Sequence, residues 1–267
     1  MYLVARPVNI SPPWMGFQLA ETEDSRHRSL RAKTYVGYVR PSLEMVTLTV
    51  DGERVSIELD RVINAGYSGR DQESVRGHIG EMLEDDVISE EPESVPTAYQ
   101  VAPYTLLSNP GQVQTVGEDT SGEAEYALFV TGRETYVAAA SDQTDRALEK
   151  HGIQLAKQIA PNVVSKQAWR LSDVREHWDE IEIRAWNTVD GDCRRYQDTT
   201  LASILPPEEV IEEIHERYPG DLNGTAILSG TVPTVEGKLT PGDRFEVELN
   251  DPVRERSIAV GYDVEPI

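Results

Sequence analysis

Beyond residue 97 the chain is written mostly as short alternating or apolar runs, and this pattern restricts it to a strand-dominated fold. TAYQVAPYTLL, GQVQTV, EAEYALFV, ETYVAAA and IEIRAW follow one another, and TAILSGTV, DRFEVELN and RSIAVGYDV close the chain. Upstream, MVTLTV and RVSIEL both alternate around Asp51-Gly52, a dipeptide that suits a two-residue hairpin turn. Helices are few. One is expected from about Asp71 to Leu83, with Asp71 as N-cap and an apolar stripe of Val75, Ile79, Met82 and Leu83. A second is expected at about Thr144 to Ala160, and a short third at Pro207 to Arg217. No repeat and no low-complexity segment interrupts this series. The reading is an α+β, β-rich domain rather than a doubly wound sheet.

Charge narrows the function. The chain carries 47 acidic and 25 basic residues, a formal net charge of −22 that opposes binding to nucleic acid or anionic membranes. Only five of the basic residues are lysine, and the pattern resembles proteins of salt-loving organisms, whose dense carboxylates keep the surface hydrated. No run approaches the ~20 apolar residues of a membrane span. Arg6, Asn9 and the prolines Pro7, Pro12 and Pro13 interrupt what a signal peptide would need, so a cytoplasmic location is expected. Cys193 is the sole cysteine, which excludes an internal disulfide and a cysteine zinc site.

One carboxylate set stands out within this acidic background. Glu123 and Glu125 are two apart in EAEYALFV, so a strand points both to one face, ~6.5–7 Å apart at Cα. The same spacing at Glu21/Glu23, Glu180/Glu182 and Glu246/Glu248 is read as solvated surface. Glu123 and Glu125 differ because Ala127 and Phe129 continue their face, which directs it inward. Asp142 then follows a very apolar strand. Three carboxylates without Cys or His favour a hard, oxygen-seeking ion, Mg²⁺ or Mn²⁺.

The order of these residues resembles the fumarylacetoacetate hydrolase superfamily. Glu-x-Glu precedes Ser141-Asp142-Gln143-Thr144-Asp145-Arg146, which is similar to the family's Asp-x-(Ser/Thr)-x-Arg segment, and Leu155-Ala156-Lys157 follows. Ala226 to Thr231 resembles the family's apolar strand ending in Thr-Gly-Thr, and Leu239 to Val247 its leucine-x-proline-Gly-Asp stretch. The resemblance covers roughly Arg70 to the C-terminus and implies a mixed β-sheet roll with a few peripheral helices. It gives His78 and Glu81, three apart on one helix face, the task of activating a water. It implies that Lys157 is catalytic, that Thr231 and Arg146 bind substrate, and that the protein is a homodimer.

The chain departs from the family at three points. Gly66-Tyr67 lies eleven residues ahead of His78, in place of a Gly-x-Asn-Tyr turn close before it. Val232 is inserted into Gly-Thr-Pro, and ALEKHG after Arg146 lacks the usual continuation. On this reading residues 1–44 form a loose extension, 45–110 a hairpin-and-helix subdomain, and 111–267 the catalytic domain. The expected activity is metal-dependent hydrolysis of a carbon–carbon bond in a small keto acid. Alternatives on the same enolate-stabilising site are decarboxylation, tautomerisation and dehydration of a 2-keto-3-deoxy sugar acid, and a third reading is a non-catalytic binding protein. Of the remaining candidates, Cys193 has no activating partner, His177 is read as packing, and His151 and His215 as exposed.

Overall fold

The computed structural model describes residues 44–84, 88 and 91–267. The expected extension therefore lies outside the described residues except for Glu44. In chain order the strands and helices are β1 (Glu44–Val50), β2 (Glu53–Leu59), β3 (Arg61–Gly66), α1 (Gln72–Glu84), β4 (Thr97–Val101), β5 (Leu106–Ser108), β6 (Gln112–Thr115) and β7 (Thr120–Ser121). Then come β8 (Ala124–Val130), β9 (Thr135–Asp142), β10 (Thr144–Asp145), α2 (Arg146–Glu149), α3 (Ile153–Ile159), β11 (Asn162–Arg170) and α4 (Leu171–Val174). The chain ends with β12 (Glu182–Val189), β13 (Asp192–Thr200), α5 (Pro207–Arg217), β14 (Thr225–Leu228), β15 (Arg244–Asp251) and β16 (Arg256–Pro266). Among the described residues no helix is long and apolar enough to cross a membrane.

The hairpin forms as its turn requires: Asp51 and Gly52 both take positive φ, at 51° and 83°, and pair β1 with β2. Asp71 caps α1, its Oδ1 accepting the N–H groups of Glu73 and Ser74 at 3.1 Å. The expected helix over 144–160 is broken. Thr144 and Asp145 pair with β7, Asp145 caps the single turn of α2, and Gly152 at φ 149° separates that turn from α3. Strand β11 gives no clean alternation because Lys166 and Gln167 emerge at an irregularity between Val164 and Ala168. Strand β13 is the charged edge of its sheet.

Two sheets carry the fold. A nine-stranded mixed sheet runs β2-β1-β11-β9-β8-β14-β3-β4, with β5 also against β11, and a five-stranded sheet runs β13-β12-β15-β16-β6. A boundary near residue 110 would divide hydrogen-bonded neighbours of the larger sheet. That sheet is strongly curled. Strands β3 and β11 lie four spacings apart, ~19 Å on a flat sheet. Yet Asn64 Nδ2 donates to Asn162 Oδ1 at 2.8 Å across the inner face. The inside of the curl is filled by Leu48, Leu59, Val62, Phe129, Ala138, Val164 and Leu228. Its outer face packs on the second sheet and on the segment leading into β12, where Tyr126 stands edge-on to Trp178 at 4.9 Å. Because both faces of β8 are covered, its sequence is almost continuously apolar, and a glutamate there must point into protein.

At the end of β15, Asp251 is fully buried and accepts from the N–H groups of Val253 and Arg254 and from Arg256 Nε. His177 Nε2 lies 3.0 Å away. Burial opposes the charge of Asp251, but the Arg254 N–H, His177 and Arg256 outweigh it and hold its carboxyl below the usual range. A depressed folded-state value stabilises above the unfolded value of ~3.9 and is lost as pH falls through the folded one. Asp251→Asn should therefore cost about 2–3 kcal/mol in denaturant titrations near neutrality, with the gap to wild type closing below about pH 4.

Candidate metal centre

The curl brings three carboxylates together at one end of its inner face. Glu123 immediately precedes β8, and its carbonyl accepts the Asp142 N–H at 3.1 Å, extending the β8–β9 ladder by one pair. Glu125 lies opposite Ala140, and Asp142 is the last residue of β9. The three side chains therefore share a face. Each places an oxygen within 4.8 Å of the others, and all are buried.

Two cations meet this cluster. Lys157, in the last turn of α3, bonds Asp142 Oδ2 and lies 3.3 Å from Glu123 Oε2. Arg146, at the start of α2, lies 3.4 Å from Glu123 Oε1. Every nitrogen of the Arg146 fork is engaged: Nε donates to Ser121 Oγ, Nη1 to Glu149 Oε1, and Nη2 to the Ser121 carbonyl. Glu123, Glu125, Asp142 and Glu149 thus face Arg146 and Lys157, a formal excess of two negative charges when all four carboxyls are ionised. Glu125 Oε2 accepts the Gly230 N–H at 3.0 Å, while Glu125 Oε1 and Asp142 Oδ1 are buried without a partner among the described residues. An orphaned buried carboxylate oxygen is costly, and a hard divalent cation satisfies both oxygens and the excess charge. The residues fit such an ion.

The electrostatics follow the same geometry. Burial pushes the Glu125 carboxyl well above its ordinary range, and Asp142 adds to this. Burial also opposes the charge of Glu123, but Lys157 and Arg146 outweigh it and bring its value down. For Lys157 burial is overcome by Asp142, Glu123 and Glu125, which hold the ammonium charged. Tyr67 and Tyr99, whose phenols burial pushes up, lie within the field of Lys157 and Glu149.

The expected residues are not all assembled. Thr231 joins the cluster's margin, its Oγ1 donating to the Ala124 carbonyl at 3.1 Å between the two glutamates. His78 and Glu81 lie 3.5 Å apart on α1 but are 67% and 75% exposed. Among the described residues no hydrogen bond or ion pair joins them to the carboxylates. The comparison pairs are surface features: Glu182 and Glu248 flank Arg184, and Glu246 pairs with Arg244. Glu21 and Glu23 fall outside the described residues. The supporting polar residues gave no pattern in sequence. Gln197, fully buried in a charged strand, accepts the Ala124 N–H and donates to Thr231 and Val232. Tyr262 reaches from the second sheet to Ser141 and Gln143, the neighbours of Asp142 on either side.

The architecture is that of solved fumarylacetoacetate hydrolase-family proteins. The chain superimposes on a provisionally assigned fumarylpyruvate hydrolase from Burkholderia cenocepacia with a TM-score of 0.60 at 17% identity, covering 86% of this chain and 99% of that one. It also matches a fumarylpyruvate hydrolase from Pseudomonas aeruginosa, solved with Mn²⁺ and pyruvate, at 0.54 and 14%, covering 86% and 99%. A third match is 2-keto-3-deoxy-D-arabinonate dehydratase in its apo form, at 0.54 and 15%, covering 78% and 74%. No curated protein matches the chain in sequence. Residues 65–262, which contain the whole cluster together with His78 and Glu81, match the family described as "Protein of unknown function (DUF2848)", and the chain belongs to that family.

Proposed function

We propose that this protein is a Mg²⁺- or Mn²⁺-dependent enzyme that hydrolyses a carbon–carbon bond in a small keto acid of acylpyruvate type. The observation that carries this reading is the pair of orphaned oxygens on Glu125 and Asp142 inside a buried cluster whose carboxylates formally outnumber its cations by two. The shared fold adds support, since one protein with it was solved with Mn²⁺ and pyruvate. Glu123, Glu125 and Asp142 would hold the ion. When bound, the ion supplies Lewis acidity for a substrate carbonyl and for the enolate that forms as the bond breaks.

The remaining steps belong to the chain. Lys157 and Thr231 bind the substrate's carboxylate or oxyanion. Arg146 has its fork filled by Ser121, Glu123 and Glu149, so it holds Glu123 in place and meets substrate only by giving up one of these bonds. His78, paired with Glu81, accepts a proton from the water that attacks the acyl carbonyl. The carbon–carbon bond then breaks, its electron pair passes to the leaving enolate, and the proton taken by His78 is returned to the enolate carbon. This role requires α1 to bring the exposed His78 over the cluster.

A second reading keeps the site and changes the reaction to dehydration of a 2-keto-3-deoxy sugar acid, favoured by the likeness of fold to the arabinonate dehydratase. Product analysis by mass spectrometry of the Mn²⁺-loaded protein separates them. Hydrolysis of an acylpyruvate yields two fragments, and dehydration leaves the carbon skeleton whole. In the hydrolysis, His78→Ala should lower kcat by about 100-fold or more while Mn²⁺ affinity stays unchanged. Unaltered turnover in that variant would remove His78 from the reaction.

A further inference from the structure

Lys157 stands where an incoming cation would be drawn. Of the lysines among the described residues, Lys150, Lys166 and Lys238 are exposed and Lys157 alone is buried. Burying an ammonium is costly unless its surroundings compensate, and here they are two of the three carboxylates that would hold a metal. Three carboxylates within 4.8 Å repel one another strongly in a site this dry. Its ammonium removes much of that repulsion from the metal-free protein. The flexible four-carbon stem lets the ammonium withdraw without moving α3.

We propose that Lys157 is a resident counter-cation: it holds the carboxylate cluster together in the metal-free protein, competes with the divalent ion for Asp142 and Glu123, and becomes available to a substrate anion only once displaced. The proposal rests on the metal-site reading above and adds an order of loading, cation first and substrate anion second. An anion reaching the metal-free site would meet an ammonium already neutralised by Asp142 and Glu123, beside the buried Glu125 carboxyl.

Mn²⁺ titrations by calorimetry on wild type, Lys157→Met, Lys157→Gln and Lys157→Arg test this, together with melting of the metal-free proteins. Removal of the charge in Lys157→Met should tighten Mn²⁺ binding by about tenfold or more and lower the metal-free Tm, because one competitor has gone. Lys157→Arg, which keeps the charge, should bind Mn²⁺ no more tightly than wild type. If Lys157→Met does not fold, the contrast of Lys157→Gln with Lys157→Arg carries the same comparison. Oxalate, as an anion probe, should bind wild type only after Mn²⁺.

Equal or weaker Mn²⁺ binding by the uncharged variants, with wild type binding well, would overturn the counter-cation role and leave the metal site standing. Oxalate binding to metal-free wild type would overturn the order of loading. A wild type that takes up no Mn²⁺ would remove the metal site itself and this proposal with it.

Discussion

Glu125→Gln should abolish tight binding of Mg²⁺ and Mn²⁺ while leaving the metal-free protein at least as stable as wild type. The side chain is fully buried, with one oxygen held by the Gly230 N–H and the other without a partner among the described residues. Glutamine matches its shape and can keep the Gly230 bond through its carbonyl. Its amide then places donors where the cation should be and removes one of three ligand charges. The expected loss of affinity is at least about 100-fold, beyond the usual cost of changing a supporting residue. Stability should move the other way. The folded state pushes the Glu125 carboxyl above its ordinary range through burial and Asp142, so its charge at neutral pH works against folding. Removing that charge should raise the metal-free Tm by about 2–4 °C for each ~1 kcal/mol relieved. Calorimetric titration and thermal melts read the two effects. Opposite signs distinguish a functional carboxylate from a structural one, whose loss would lower the Tm.

Gly230→Ala should damage stability and site together. Gly230 has φ 82°, a left-handed conformation that costs a residue with a Cβ about 1–2 kcal/mol. A Cβ there would lie 2.3 Å from Ser68 Oγ and 3.1 Å from the Ala65 carbonyl. Ser68 Oγ also donates to the Ser229 carbonyl, so it cannot turn away without losing that bond. Overpacking of this kind adds about 1–3 kcal/mol, giving a combined loss of about 2–5 kcal/mol in denaturant titrations. Since the Gly230 N–H holds Glu125, its displacement should also weaken Mn²⁺ binding by about 10–100-fold. Undiminished affinity would mean that Glu125 needs no support from this turn.

Gly230 also shows what was legible in the sequence. The run Ser229-Gly230-Thr231 was readable only as part of an order of residues, and the physical need for glycine there appears once β3 and β14 lie side by side. The hairpin was legible because Asp51-Gly52 is a local signal that tertiary contacts do not alter. The inward direction of Glu123 and Glu125 was legible too, since Ala127 and Phe129 share their face. Local patterns failed where tertiary pairing overrode them. The residues after Asp142 look helical, yet Thr144 and Asp145 are claimed by β7 and Gly152 breaks what remains. Strand β11, against which Asp142 pairs at Asn162, is concealed by its exposed Lys166 and Gln167. Gln197 and Tyr262 support the cluster from the second sheet, and nothing local distinguishes either from other polar strand residues.

The proposed chemistry requires a divalent cation held by Glu123, Glu125 and Asp142. Anomalous diffraction from crystals soaked in Mn²⁺ tests it most directly. One strong peak is expected within about 2.0–2.3 Å of an oxygen from each of the three carboxylates, with Lys157 Nζ moved off Asp142. A peak elsewhere, or an unaltered Lys157–Asp142 pair at saturating Mn²⁺, would contradict it.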